Sequence, residues 1–148
     1  PFDCYLLTRS IKTLSVRMKQ HNENAIAVSN YLSNHPKIEK VFFPGNDKRH
    51  KEIAEKQMDG FGGMMSFVID SDINGVKTFL KNLNLFTLAE SLGGVESLIE
   101  HPAIMTHASI DPSIREKLGI SETLLRISVG IEDVDDLISD LDQALSKI

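Results

Sequence analysis

The sequence predicts a two-layer α/β (α+β) fold, a mostly antiparallel sheet of four or five short strands with helices on one face. Three observations predict it. Short apolar or alternating runs, bounded by glycine, proline or asparagine, are interleaved with helical patterns. The helical patterns carry apolar stripes sufficient to cover one side of a sheet. A length of 148 residues, with 41% hydrophobic and 25% charged residues, suits one ordinary domain with a sizeable core.

Residues 1 to about 35 read as one long helix or two abutting ones. Leu7, Ile11, Leu14, Met18, His21, Ala25, Val28 and Leu32 follow a 4-3-4-3-4-3-4 spacing, which keeps one stripe on one side. Such a stripe can cover this domain's own sheet or bridge to another domain. Pro1 is tolerated in a first helical turn, and Pro36 pushes His35 out of helical geometry. His21 lies on the stripe and reads as a helix-packing histidine. Ile38 to Phe43 is strand-like and ends at Pro44-Gly45. A charged segment, Asn46 to Asp59, reads as a surface helix with Ile53, Ala54 and Met58 inward.

Gly60-Phe61-Gly62-Gly63 precedes a strand, whereas phosphate-cradling loops follow one and open a helix, so it is not a dinucleotide fingerprint. Met64 to Asp70 alternates as a strand. Ser71-Asp72 caps a helix that turns Val76, Phe79, Leu80 and Leu83 to the core. Leu85 to Leu88 is another short strand, and Val95 to Ile99 a brief apolar run. Asp111-Pro112 starts a short helix that Gly119 closes. Leu124 to Val129 is the last strand. Asp133 caps the final helix, with Asp135 and Asp136 in its first turn, where the dipole favours them. Val134, Leu137, Ile138, Leu141, Ala144, Leu145 and Ile148 form its apolar face.

Composition narrows the function. A net charge of -5 without a basic stripe argues against nucleic acid. No apolar run approaches the ~18 residues of a membrane span. The single cysteine, Cys4, excludes an internal disulfide and fits a reducing compartment, and no signal-peptide pattern opens the chain. The start at Pro1, already helical, suggests a piece of a longer protein. His101 and His107 lack zinc-like spacing, so no metal site is expected. No serine-histidine-aspartate signature appears, Cys4 is weak evidence for a nucleophile, and none of the eleven lysines falls in an apolar pocket.

Arg126 is the sharpest chemical signal. Leu125, Ile127 and Val129 would share one face of its strand, and Leu124, Arg126, Ser128 and Gly130 the other. Ser128 and Gly130 leave room beside the guanidinium. A guanidinium taken from water on a sheet needs an anion. A ligand carboxylate gripped bidentately is one answer; a structural ion pair with Glu90, Glu96 or Glu132 is the other. The turn Ser91-Leu92-Gly93-Gly94 offers unobstructed backbone N–H groups, which suit an anion as well as a tight turn. Thr106 and His107 could donate hydrogen bonds into a cavity. The residues alone permit an amino-acid-binding pocket or a non-catalytic α/β module that binds amino acids or mediates assembly.

Longer motifs add a resemblance. Glu90–Ser109 (ESLGGVESLIEHPAIMTHAS), Leu125–Asp133 (LRISVGIED) and Asp136–Leu145 (DLISDLDQAL) resemble the carboxy-terminal part of the pyridoxal-phosphate enzymes of cysteine and methionine metabolism. Pro1–Met18 (PFDCYLLTRSIKTLSVRM) is similar to the segment joining that family's large and small domains. The resemblance implies a linking helix over 1–35 and a substrate-binding domain over 36–148, folded like the small domain of fold-type I enzymes.

It also implies roles. The arginine matching Arg126 grips the substrate α-carboxylate, helped by Ser91 and the backbone at Leu92; Glu90 lines the distal substrate pocket; Thr106 lies near the cofactor side. Thr87–Gly94 and Met105–Ser109 are most similar to the branch that cleaves L-cystathionine by γ-elimination into cysteine, 2-oxobutanoate and ammonia. Cystathionine synthesis, its β-elimination and methionine γ-elimination are the family's neighbouring activities. The lysine that holds pyridoxal 5'-phosphate, and the other cofactor-binding residues, lie in the family's preceding domain. These 148 residues are therefore expected to carry no catalytic lysine and to be inactive alone. The partners implied are a small amino-acid substrate, that amino-terminal domain and further copies in a cytoplasmic homotetramer.

Overall fold

A computed structural model describes residues 1–148, the side chains of Lys48 and Arg49 excepted. Eleven elements follow in order: α1 (Phe2–Ile11), α2 (Leu14–Ser33), β1 (Ile38–Phe42), α3 (Lys48–Gln57), β2 (Met64–Ile69), α4 (Ile73–Lys81), β3 (Thr87–Leu88), β4 (Leu98–Glu100), α5 (Pro112–Lys117), β5 (Leu124–Ser128) and α6 (Val134–Leu145). The five strands form one sheet in the order β1-β2-β5-β4-β3. All neighbours are antiparallel except β3 and β4. The expected α/β architecture with a mostly antiparallel sheet is the one observed.

Alternation along the strands sorts the two faces. Met65, Phe67 and Ile69 of β2, Leu125 and Ile127 of β5 and Ile99 of β4 join one buried cluster with Val28 and Leu32 of α2, Phe79 of α4, and Leu137 and Leu141 of α6. Phe67 and Phe79 meet edge to face, 6.2 Å between centroids at 88°, an arrangement that aromatic quadrupoles favour. The opposite face carries Ser66, Leu98, Glu100, Leu124, Arg126 and Ser128, and loops rather than helices lie along it.

Side-chain caps set the starts of several helices. Asp47, Asp72, Asp111 and Asp133 each accept backbone N–H bonds in the first turn of α3, α4, α5 and α6. Gly119, at φ +76°, follows α5 in the left-handed conformation that glycine tolerates.

The first 35 residues form two abutting helices, separated at Lys12 and Thr13. Their stripe divides. His21, Ala25, Val28 and Leu32 are buried, whereas Leu7, Ile11, Leu14 and Met18 are exposed. Every residue of α1 is exposed. His21 packs as expected, its Nδ1–H donating to the Val129 carbonyl at 2.7 Å. Among the described residues no helix is long and apolar enough to cross a membrane.

Two local expectations are corrected, and the apolar run after the glycine turn resolves into a strand. Of the three residues expected inward around α3, Ala54 alone is buried; Ile53 is exposed, and Met58 lies beyond the helix in extended backbone and is exposed too. The strand expected over Leu85–Leu88 shrinks to Thr87–Leu88, because the N–H groups of Leu85 and Phe86 go to the Asp140 carboxylate. The apolar run at Val95 yields a strand only from Leu98, because Glu132 takes the Ser97 N–H.

Candidate functional site

β5 lies between β2 and β4, and its register places Arg126 between Ser66 and Glu100. All three side chains stand on the face away from the helices, since each is an even number of residues from a neighbour pointing that way. Glu100 is 1% exposed. Its Oε2 forms an ion pair with Arg126 Nη2, and the same nitrogen donates to the Glu90 carbonyl at 2.8 Å. Nη1 and Nε of Arg126 have no protein partner among the described residues. The Arg126 side chain remains 24% exposed.

Arg126 therefore has a protein anion, and it is none of the three acidic residues considered from the sequence. Glu90 contributes its backbone carbonyl, with its side chain exposed. Glu132 accepts from Ser97 N–H at 2.6 Å and from Ser97 Oγ at 2.9 Å. Glu96 lies against Gly94. Glu100 was legible only as a charge at the end of an apolar run; with Leu98 two residues before it, strand alternation puts it on the arginine's face.

The space expected beside the guanidinium is taken by protein. Ser128 Oγ accepts from the Gly93 N–H at 2.8 Å, which ties the glycine turn to β5. Gly93 has φ +76°, so its place in that turn favours glycine. At Gly130 the room is filled by the Glu132 carboxylate and the Val95 carbonyl. Ser91 and Leu92, both exposed, lie between the two anchored positions, Glu90 and Gly93.

Thr106 reaches the same cluster from the turns after β4. Its Oγ1 donates to Glu100 Oε1 and lies 2.8 Å from Nδ1 of His107. With the threonine O–H donated to the carboxylate, Oγ1 can only accept in the second contact, so His107 Nδ1–H is the donor there. His101, fully buried, donates from Nε2 to the Glu122 carbonyl at 2.8 Å, leaving Nδ1 as a buried acceptor without a partner. Burial lowers its pKa, against an opposing pull from Glu122.

Five surface clefts of about 390–510 Å³ do not include Arg126 in their walls. One of them, about 510 Å³, joins the glycine turn to the first helices through Arg9, Ser10, Thr13, Arg17, Gly94 and Val95. Among the described residues no three His, Cys, Asp or Glu side chains converge to hold a metal ion. No lysine whose side chain is described is buried. A Schiff base needs a desolvated or otherwise activated amine, so the described residues do not fit covalent attachment of pyridoxal phosphate.

The comparisons bear on the whole chain. Residues 1–146 match the model of the Cys/Met metabolism PLP-dependent enzymes. Cystathionine gamma-lyase of Dictyostelium discoideum is 55% identical over 149 residues, covering 99% of this chain and 38% of that protein. Cystathionine beta-lyase of Coxiella burnetii is 53% identical over 147 residues, covering 98% and 38%. The crystal structure of cystathionine gamma synthase from Xanthomonas oryzae pv. oryzae in complex with cystathionine superposes with a TM-score of 0.94 at 47% identity, over 99% of this chain and 38% of that one. The chain thus spans well under half the length of these relatives. With residues 1–146 matched by the family model and a relative 55% identical over 99% of the chain, the chain belongs to the Cys/Met metabolism family of pyridoxal-phosphate-dependent enzymes.

Proposed function

We propose that these residues form the substrate-carboxylate domain of a transsulfuration enzyme whose reaction is the γ-elimination of L-cystathionine. The observation that carries the reading is Arg126: a strand-borne guanidinium, held at one nitrogen by Glu100 and Glu90, with Nη1 and Nε left for an incoming anion. A long side chain fixed in this way has lost much of its rotamer freedom before the ligand arrives, and so binds at lower entropic cost. The amino acid's α-carboxylate is the ligand. Ser91 and the backbone at Leu92 assist from the turn that Gly93 anchors, and the exposed Glu90 side chain lines the distal part of the pocket.

Pyridoxal phosphate supplies the electron sink in this family. The lysine that holds it belongs, in this reading, to a larger domain preceding residue 1. Residues 1–35 link that domain to 36–148, and the exposed apolar side of α1 packs against it. The parent enzyme is a cytoplasmic homotetramer, and the 148 residues alone are inactive. The 55% identity to the Dictyostelium lyase supports γ-elimination. The second reading, β-elimination or synthesis of cystathionine, draws support from the Coxiella and Xanthomonas relatives.

Arg126→Lys in the full-length enzyme tests the proposal. Losing one or two charge-assisted bonds of about 1.5–3 kcal/mol should raise KM for L-cystathionine roughly 10- to 100-fold. An unchanged KM removes Arg126 from the site. Product analysis with L-cystathionine (cysteine and 2-oxobutanoate against homocysteine and pyruvate) separates the two readings.

A further inference from the structure

We propose that Glu100, supported by Thr106, is the positioning residue for Arg126: it holds the guanidinium at Nη2 and leaves Nη1 and Nε free of protein hydrogen bonds. The inference rests on the reading of Arg126 given above and assigns two residues to that same site. Glu100 and Arg126 are directly paired across β4 and β5, so their Cβ atoms are held close by the sheet itself. Glu100 is almost fully buried, and a desolvated carboxylate cannot turn to water as an exposed one does. It is therefore a fixed charge, whereas Arg126 alone is a long, flexible side chain.

The carboxylate is fixed in turn from behind. Thr106 Oγ1 donates to Oε1, and His107 Nδ1 lies 2.8 Å from that hydroxyl. An ionised carboxylate only accepts, so the proton order is set: His107 to Thr106, Thr106 to Glu100, and Glu100 facing Arg126. Thr106 thereby acts on the site through Glu100.

The test uses the full-length enzyme with its cofactor, and an unreactive amino acid, L-norvaline, beside its amide, L-norvalinamide, which lacks the carboxylate. Titration calorimetry gives Kd for each, and steady-state kinetics give KM and kcat for L-cystathionine. Glu100→Ala should raise KM and the Kd of L-norvaline about tenfold, with kcat within about threefold and the Kd of the amide unchanged. Glu100→Gln keeps an oxygen for Arg126 and can donate to Thr106 Oγ1, so it should recover most of the loss. Thr106→Val should give a smaller rise, about threefold, that Thr106→Ser reverses, and it carries the test should Glu100→Ala not fold.

Equal weakening of the amino acid and the amide, or unchanged Kd values in folded protein, overturns the role of Glu100. Arg126→Lys is the control. If it fails to separate L-norvaline from L-norvalinamide, the reading of Arg126 itself falls; if it separates them and Glu100→Ala does not, only the positioning role falls.

Discussion

The carboxylate of Asp140, on α6, accepts the backbone N–H of Leu85 at 2.8 Å with the same oxygen that takes Phe86 at 3.1 Å. Its other oxygen takes the N–H of Asn84 at 2.8 Å. Three consecutive amides thus converge on one buried side chain, immediately before the strand that leads to the glycine turn. Burial by itself would raise the Asp140 pKa, but the N–H bonds from Asn84, Leu85 and Phe86, with Gln143 beside them, outweigh it, and the net shift is downward.

A depressed carboxylate stabilises the fold above its unfolded pKa and loses that contribution as pH falls through the folded value. Acid unfolding should therefore steepen below about pH 4, near the ordinary aspartate range. Asp140→Ala leaves three amides without their partner and should cost about 3 kcal/mol in urea unfolding at neutral pH. Asp140→Asn should cost less and flatten the acid limb. An acid limb unchanged in Asp140→Asn would assign the pH dependence elsewhere.

Gly130 and Gly62 should respond to alanine for different reasons. A Cβ at Gly130 would stand 2.7 Å from Ser97 N and still closer to the Val95 carbonyl and the Glu132 carboxylate. Two of these are backbone atoms that cannot step aside, so Gly130→Ala should destabilise by about 3 kcal/mol. Gly62 has open space around it but a φ of +77°. Gly62→Ala should cost only about 1–2 kcal/mol, the strain of a left-handed alanine. Thermal unfolding of both variants checks the order.

Glu90→Ala should separate its side chain from its backbone. Arg126 uses the Glu90 carbonyl, which alanine keeps, and the Glu90 side chain is exposed. Stability should stay within about 0.5 kcal/mol of the parent. Relative kcat/KM among γ-substituted amino acids should change in the full-length enzyme. Equal losses across all substrates would count against a distal-pocket role.

The divided stripe of the first two helices predicts a divided exchange pattern. Amides of α1, none of whose residues is buried, should exchange hydrogen quickly in the 148-residue chain, while those near Ala25, Val28 and Leu32 stay protected. Ile11→Glu should leave unfolding of the sheet within about 0.5 kcal/mol. In the full-length enzyme the same substitution should weaken assembly, as a sedimentation profile would show, because it charges an apolar face that this domain does not cover.

The sequence by itself determined the layers, most element positions and the face on which Arg126 stands. Periodicity is local: a strand's alternation and a helix's stripe are written in neighbouring residues, and Asp72, Asp111 and Asp133 cap their helices from within one turn. Only the tertiary structure decided who answers Arg126. Glu100 lies 26 positions earlier and meets it through strand register, which the folded sheet sets. The same holds where Asp140 shortens β3 and Glu132 delays β4, since each takes a backbone N–H from a residue 35 or more positions away. Such long-range side-chain acceptors leave no local periodic trace, because the folded chain alone brings donor and acceptor within reach.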